Sequence, residues 1–260
     1  MLAQEFGKQN AAKILLIPGN MMSWRQFEPL VPLLETDFHV IAISTDGYDE
    51  ATTFTTADAS AQSVEAYVNA HLGGSVDLIL GESFGCATAG MLFHRQKIRV
   101  GALIMSGPQY MSLGILNGLL KAIIPRNQYR LLGKIHEKKK LPWLLKRYTR
   151  TDDDKLLQQF SAVPKNITLK TLQNCMDEAL KLYDAIDGFA PDPDAHVAIW
   201  YGAKEPNMAK AVQKLKRAFP NAEDHPFEGF GHGEIIAHPD RMAFEIRQFI
   251  YPFGHAHRQE

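Results

Sequence analysis

Short apolar runs recur along the chain and predict strands that are buried on both faces of a sheet. Between most of these runs, apolar side chains return at helical spacing and predict helices. Because strands that alternate with helices form parallel sheets with helices on both faces, the pattern indicates an α/β fold. The predicted strands are KILLIP from Lys13, HVIAIS from His39, VDLILG from Val76, RVGALIMSG from Arg99, HVAIWYG from His196 and AEDHPFEG from Ala222, and the predicted helices cover residues 25–34, 57–72, 84–95, 207–219 and 239–250.

The alternation stops between Pro108 and about Asp194, where the sequence is mostly helix-like and has few β-branched residues. A chain of 260 residues suits one substantial core rather than two. We therefore expect a core formed by residues 1–108 and 193–260, with a helical cap inserted over residues 109–192. The basic tract of this insertion, residues 134–150, could attract an anionic substrate or a membrane surface, but a solvated helix face is the preferred interpretation.

Composition and charge narrow the class of protein. The chain has 28 basic and 29 acidic side chains and a net charge of -1, which argues against nucleic acid as a partner. Its two cysteines, Cys86 and Cys175, form neither a disulfide framework nor a metal-ligand spacing. No apolar stretch reaches the roughly 18 residues that span a bilayer, and the first residues lack the apolar centre of a signal peptide. We expect a cytoplasmic protein without stable membrane insertion.

A serine between glycines, Gly81-Glu82-Ser83-Phe84-Gly85, stands where the strand from Val76 gives way to a helix. In a strand-to-helix turn, this GxSxG pattern holds a nucleophilic serine in a strained backbone that leaves no room for side chains at the flanking positions. The helix N-terminus favours the negative charge that develops during attack, and the Phe84 N–H is the first candidate donor to it. The alternative interpretation is a tight turn with a structural serine.

A serine hydroxyl requires a histidine base at the same edge of the sheet. Of the ten histidines, His232 is the best candidate, because it lies between glycines in a loop that follows the last predicted strand. Structural roles are expected for His225, His238, His255 and His257.

Glu205 is the candidate acid that orients the histidine. It follows the strand HVAIWYG by three residues and therefore emerges at the carboxyl edge, although a solvated carboxylate at a helix N-terminus would have the same position. Other candidate acids precede that strand and lie at its opposite end, namely Asp187, Asp192 and Asp194.

The segments GESFG, GAKEP and GFGHGE resemble, in this order, the nucleophile, acid and histidine segments of the α/β-hydrolase superfamily. The resemblance implies an α/β-hydrolase fold with a mostly parallel central sheet and a catalytic triad of Ser83, Glu205 and His232, with Glu in place of the commoner Asp. It also implies a second oxyanion donor in Pro18-Gly19-Asn20-Met21, where proline replaces the family's histidine. We assign this donor to the Asn20 N–H, with Met21 as second choice. The amino-terminal strands of many members are expected to be absent or vestigial here.

The chemistry implied is cleavage of an ester, thioester or amide of a small, largely apolar molecule through an acyl-enzyme on Ser83. No metal or organic cofactor is required. In the superfamily the cap covers the nucleophile, so its apolar residues are candidates for the acyl pocket, although packing within the cap is the commoner role of such residues. The candidates are Met111, Leu113, Leu116 and Trp143.

Two other functions fit the same residues. The first is a lyase or a hydrolase of C–C bonds, since fold and triad do not define the bond that is cleaved. The second is a receptor with slow turnover, in which the triad binds a small molecule and the cap signals to a protein partner.

Overall fold

The computed structural model describes residues 1–108, 114–136, 163–190 and 192–254. Its centre is a seven-stranded sheet in the order β1-β3-β2-β4-β5-β6-β7, in which β1 is antiparallel to β3 and the other neighbours are parallel. The strands are β1 (Leu2–Phe6), β2 (Lys13–Ile17), β3 (His39–Ser44), β4 (Ser75–Glu82), β5 (Arg99–Ser106), β6 (Val197–Gly202) and β7 (Glu223–Phe227).

Helices cover both faces of the sheet. One buried cluster joins the sheet to α2, α3 and α6, and a second joins the other face to α1 and α7. Both faces of the inner strands are therefore apolar, as the uninterrupted runs predict. The helices are α1 (Val31–Leu34), α2 (Ala57–His71), α3 (Gly85–Arg95), α4 (Asn117–His136), α5 (Leu169–Ala185), α6 (Met208–Ala218) and α7 (Pro239–Gly254), with 3-10 turns at Trp24–Phe27, Gly114–Leu116, Ile186–Gly188 and Glu234–Ala237.

The predicted α/β-hydrolase fold is confirmed by this sheet, and all six predicted strands are present within two residues of their predicted bounds. The helix predicted over residues 25–34 is wrong as one element. It divides into the 3-10 turn Trp24–Phe27 and the four-residue α1, because the ring of Pro29 has no N–H for a continuing helix and restricts the residue before it.

The expectation that amino-terminal strands are absent or vestigial is also wrong. Residues Leu2–Phe6 form β1, which pairs with five of the six residues of β3, from Leu2 opposite Ser44 to Phe6 opposite Val40. The prediction failed because β1 lies at the edge of the sheet and mixes polar with apolar residues, so it lacks the continuous apolar run of a central strand.

Between β5 and β6, the described residues form α4, α5 and two 3-10 turns. Helix α5 is attached to the loop that follows β3: the Asn174 side chain donates to the Phe54 carbonyl at 2.7 Å, and Glu178 accepts the Ala57 N–H at 3.0 Å. The division into a core and a cap over residues 109–192 stays a prediction. None of the helices in the described ranges is both long and apolar enough to cross a membrane.

The parallel strands end at one edge of the sheet, and this edge carries every segment singled out in the sequence. Strand β4 leads into Ser83, β6 leads into the loop with Glu205, and β7 leads into the loop with His232. In open α/β sheets, binding sites form beyond the carboxyl ends of the strands. The topology thus brings residues that are 149 positions apart in the chain to a common place.

Replacement of Leu16 by alanine is expected to destabilise the fold by about 2–5 kcal/mol, because this side chain is fully buried in β2 and its loss leaves a cavity. The matched control is Leu2→Ala in the edge strand, where the leucine is 43% exposed and the cost should stay below about 1 kcal/mol. Urea unfolding followed by circular dichroism measures both. Equal losses would contradict the packing described here.

Candidate active site

The turn between β4 and α3 holds Ser83 in a strained backbone. Its φ is 50°, in the left-handed region that residues with a side chain rarely adopt. A Cβ at Gly85 would lie 2.5 Å from the Ile17 carbonyl oxygen, and one at Gly81 would lie 2.8 Å from the Gly85 carbonyl oxygen. The two glycines therefore permit the backbone contacts that close this turn, as the GxSxG pattern predicts.

His232 reaches the serine from the loop after β7. The distance between Ser83 Oγ and His232 Nε2 is 3.0 Å. Within the loop, the Gly231 N–H donates to the Glu234 carboxylate at 2.7 Å, and Gly233 has a φ of 66°. These features turn the chain back toward the sheet and leave the imidazole 22% exposed, at the floor of the site.

Glu205 lies on the far side of the imidazole. Its Oε2 is 2.7 Å from His232 Nδ1, and its Oε1 accepts the Gly202 N–H at 2.8 Å. Only 4% of the Glu205 side chain is exposed. Because both carboxylate oxygens accept hydrogen bonds, the acid is fixed in position and in turn orients the histidine.

The acid loop and the histidine loop touch through their backbones. The Ala203 N–H donates to the Phe227 carbonyl at 3.0 Å, and the Lys204 N–H donates to the Phe230 carbonyl at 2.9 Å. A Cβ at Gly202 would overlap the carbonyl oxygens of residues 230 and 231. The absence of a side chain at position 202 is thus a condition for the Glu205–His232 contact.

The charges around His232 favour its protonated form. Burial lowers the pKa of His232, but the hydrogen bond and charge of Glu205, together with the charge of Glu82, outweigh this effect and raise it above the ordinary value. A histidine in this setting accepts a proton readily, as a general base requires.

The loop after β2 faces Ser83 from the other side. A Cβ at Gly19 would be 3.4 Å from the Ser83 Cβ, so the segment that precedes Asn20 and Met21 approaches the serine. The assignment of these two residues as oxyanion donors stays a prediction. Met21 has a φ of 65°, and the Gly19 N–H donates to the Gln26 side chain at 2.9 Å. The loop is therefore a defined structure and not a loose connection.

A buried tyrosine fastens this loop. The Tyr48 hydroxyl donates to the Asn20 side-chain oxygen and accepts the Met21 backbone N–H. Cys175 of α5 contacts the same hydroxyl at 3.0 Å, and because the single hydroxyl proton goes to Asn20, the thiol is the donor. Burial raises the pKa of Tyr48 well above its ordinary value, so the hydroxyl keeps its proton. Since the Met21 N–H is engaged by Tyr48, the Asn20 N–H stays the first candidate for the second oxyanion donor.

The remaining candidate residues either lie elsewhere in the structure or fall outside the described residues. Leu116 lies in a 3-10 turn and is 52% exposed, and no contact joins it to Ser83 among the described residues. Met111, Leu113 and Trp143 lie outside the described residues, as does most of the basic tract. Among the other histidine and acid candidates in the described ranges, His225 lies near Glu245 and His238 stacks on Phe230. Asp187 pairs with Lys214 and Arg217.

Sequence reasoning missed an apolar cluster beside the serine. Side chains of the β3–α2 loop, of α4, of the segment directly before α5 and of α5 itself form its buried part, and Phe84, Met21 and Met22 pack against it. Only Phe84 and Met21 could be singled out from the sequence, Phe84 as the neighbour of the candidate serine and Met21 as a member of the loop after β2. The buried members are Tyr48, Phe54, Leu132, Ile135, Val163, Ile167, Leu172 and Cys175.

Comparison with known proteins identifies the family. The family model described as "alpha/beta hydrolase fold" matches residues 13–239, so the chain belongs to the alpha/beta hydrolase fold family. This membership supports a hydrolase as the class of enzyme. Among curated proteins, none matches the sequence significantly. Within the part of the chain that the structure describes, no three His, Cys, Asp or Glu side chains form a candidate metal site.

Solved structures share the fold at low sequence identity. A protein of the alpha/beta hydrolase family from Desulfitobacterium hafniense is 20% identical with a TM-score of 0.80, over 96% of this chain and 100% of that chain. The enol-lactonase from Burkholderia xenovorans LB400 is 16% identical with a TM-score of 0.74, over 96% and 95%. MenH from S. aureus is 14% identical with a TM-score of 0.73, over 96% and 97%.

Replacement of Gly202 by alanine is expected to separate the acid loop from the histidine loop and to cost more than about 2 kcal/mol of stability, because the new Cβ overlaps two carbonyl oxygens. The pKa of His232, followed by NMR, should fall as Glu205 moves away. The control is Gly133→Ala in α4, where no heavy atom of the described residues lies within 4 Å. The control variant should gain up to about 1 kcal/mol of stability. An unchanged pKa of His232 in Gly202→Ala would contradict the role of the loop contact.

Proposed function

We propose that this protein is a serine hydrolase that cleaves an ester, thioester or amide of a small, largely apolar molecule. The observation that carries the proposal is the continuous chain of contacts from Ser83 Oγ through both ring nitrogens of His232 to Glu205, at 3.0 Å and 2.7 Å. Such a chain makes a serine hydroxyl nucleophilic, because the base accepts the proton and the acid holds the base in the required orientation.

The reaction follows from these positions. Ser83 Oγ attacks the substrate carbonyl carbon while its proton passes to His232 Nε2, and the Nδ1 proton stays hydrogen-bonded to Glu205. The carbonyl oxygen becomes an oxyanion that accepts the N–H groups of Phe84 and Asn20. His232 then gives its proton to the leaving group as the bond to it breaks. Water attacks the acyl-enzyme by the same sequence and restores the Ser83 hydroxyl.

The apolar cluster beside the serine supports an apolar acyl group. Phe84 directly follows Ser83 and Met21 lies two residues after Gly19, which approaches the serine, and the side chains of both pack against the cluster. A carbonyl held at Ser83 would therefore have apolar surface next to its acyl side, and contact with that surface favours hydrocarbon over charged groups. The name of the structurally similar enol-lactonase refers to a lactone, a cyclic ester, which supports ester chemistry on this fold.

A fluorophosphonate probe is expected to label Ser83, because the phosphorus takes the place of the carbonyl and only an activated serine attacks it. Mass spectrometry locates the modified residue. His232→Ala should lower the labelling rate by about 10³-fold or more, whereas His225→Ala, a histidine of β7 outside the contact chain, should label at the wild-type rate. A folded protein that is not labelled would favour the slow-turnover receptor, and labelling without ester hydrolysis would favour the lyase or C–C hydrolase.

Tyr48→Phe is expected to lower kcat on an activated ester by about 10-fold with little change in KM, because the loop with the Asn20 N–H loses the hydroxyl that holds it. Tyr67→Phe is the matched control, since this tyrosine of α2 donates to Glu5 at 2.8 Å, away from the serine. Steady-state kinetics of both variants give the comparison. Equal effects of the two substitutions would show that Tyr48 acts through stability alone.

A further inference from the structure

Glu82 is a buried carboxyl that the proposed reaction does not use. It is the last residue of β4, directly before Ser83, and is only 1% exposed. Ser106 of β5 donates a hydrogen bond to the carboxyl, but Oε2 has no hydrogen-bond partner among the described residues. A buried carboxyl oxygen without a hydrogen-bond partner destabilises a fold, so a contribution to stability does not explain why a glutamate stands at this position.

The carboxyl of Glu82 and the ring of His232 face the same point. A Cβ at Gly107 would lie 3.0 Å from His232 Cε1 and 3.7 Å from Glu82 Oε1, and a Cβ at Gly233 would lie 3.4 Å from that same oxygen. The two side chains are thus neighbours across backbone that carries no side chain. Since both ring nitrogens contact other residues, Glu82 acts on the imidazole through its charge and not through a hydrogen bond to a ring nitrogen.

The charged and titratable groups around Glu82 come from three other segments of the site. They are His232 of the loop after β7, Glu205 of the loop after β6 and Cys86 of α3, next to the neutral hydroxyl of Ser106. Burial raises the pKa of Glu82 to about 7, the charge of His232 and the Ser106 hydrogen bond oppose that rise, and the charge of Glu205 adds to it. Among these groups, only protonated His232 favours an ionised Glu82 by its charge.

We propose that Glu82 is a positioning residue that acts through His232. In its ionised form it stabilises the imidazolium that exists after Ser83 has given its proton to Nε2, and it takes no proton itself. Glu205 then supplies a direct hydrogen bond to the ring, and Glu82 supplies a second negative charge on another side. This inference rests on the proposed hydrolytic function for its effect on rate, but the effect on the pKa of His232 does not depend on any substrate.

The test is Glu82→Gln, which keeps the shape of the side chain and removes its charge. In the Ser83→Ala background, NMR titration of His232 should give a pKa lower by about 0.5–1 unit than in Ser83→Ala alone. In the active enzyme, kcat on an activated ester should fall by about 3–10-fold at pH 8, and the ratio of wild type to variant should decrease as the pH falls below about 7, where Glu82 takes up a proton.

Two further variants separate position from charge. Glu82→Asp restores the charge and should recover most of the pKa of His232. Glu65→Gln removes another buried carboxyl, which pairs with Arg95 away from the site, and should leave the pKa of His232 unchanged. Because Glu82 binds its proton more tightly in the folded state, its own contribution to the stability of wild type decreases as the pH rises from about 4.5 to about 7. The melting temperature of Glu82→Gln relative to wild type should therefore be higher at pH 8 than at pH 5.

An unchanged pKa of His232 in folded Glu82→Gln would overturn the proposal, and so would a loss of rate that is the same at every pH. The two proposals fail separately. If wild type hydrolyses no ester but the pKa of His232 still falls in Glu82→Gln, the coupling stands and the hydrolytic function does not. If hydrolysis depends on Ser83 and the pKa stays constant, the function stands and the coupling does not.

Discussion

The site depends on backbone segments that approach each other more closely than side chains allow. At Gly85 the nucleophile turn rests against the end of β2, at Gly202 the acid loop rests against the histidine loop, and at Gly19 the next loop comes up to Ser83. The first and third contacts join the ends of β2 and β4, and the second joins the ends of β6 and β7. The contact between Ser83 and His232 links these two pairs into one frame, in which Ser83 keeps its left-handed backbone conformation. The strain at Ser83 is supported by the whole edge of the sheet.

This frame places His232 near two buried glutamates, Glu205 and Glu82, which differ in their hydrogen bonds. Glu205 is hydrogen-bonded through both oxygens and acts through a direct contact, whereas Glu82 is buried with one oxygen open and acts over a distance. The hydrogen bonds of Glu205 fix the orientation of the His232 ring, and Glu82 supplies negative charge without restricting that orientation. Fixed dipoles and charges in a buried site need no rearrangement when a new charge forms, which is the condition for strong electrostatic stabilisation.

The core strands, and the strand ends that carry Ser83, Glu205 and His232, could be predicted because continuous apolar runs and glycine-flanked polar residues are local signals. Tyr48, Glu82 and the apolar cluster could not, because their importance arises from contacts with residues far away in the chain. Tyr48 is 127 residues from Cys175 in the chain. Glu82 occupies the variable position before the serine in GxSxG, and that motif assigns it no role. The errors over residues 25–34 and in β1 have a local cause, since proline interrupts the first and edge exposure dilutes the pattern of the second.

Helix α5 is attached at successive turns to the loop between β3 and α2, through Asn174, Cys175 and Glu178. Movement of this helix away from the sheet would break three polar contacts. One of them is the contact of Cys175 with Tyr48, the tyrosine that holds the Asn20 loop. One side of the proposed acyl pocket is consequently a fixed wall, and a wall at constant distance from the proposed nucleophile limits the length of the group that fits between them. Selection among substrates on that side is then a matter of measured length, set by the fold before any ligand arrives.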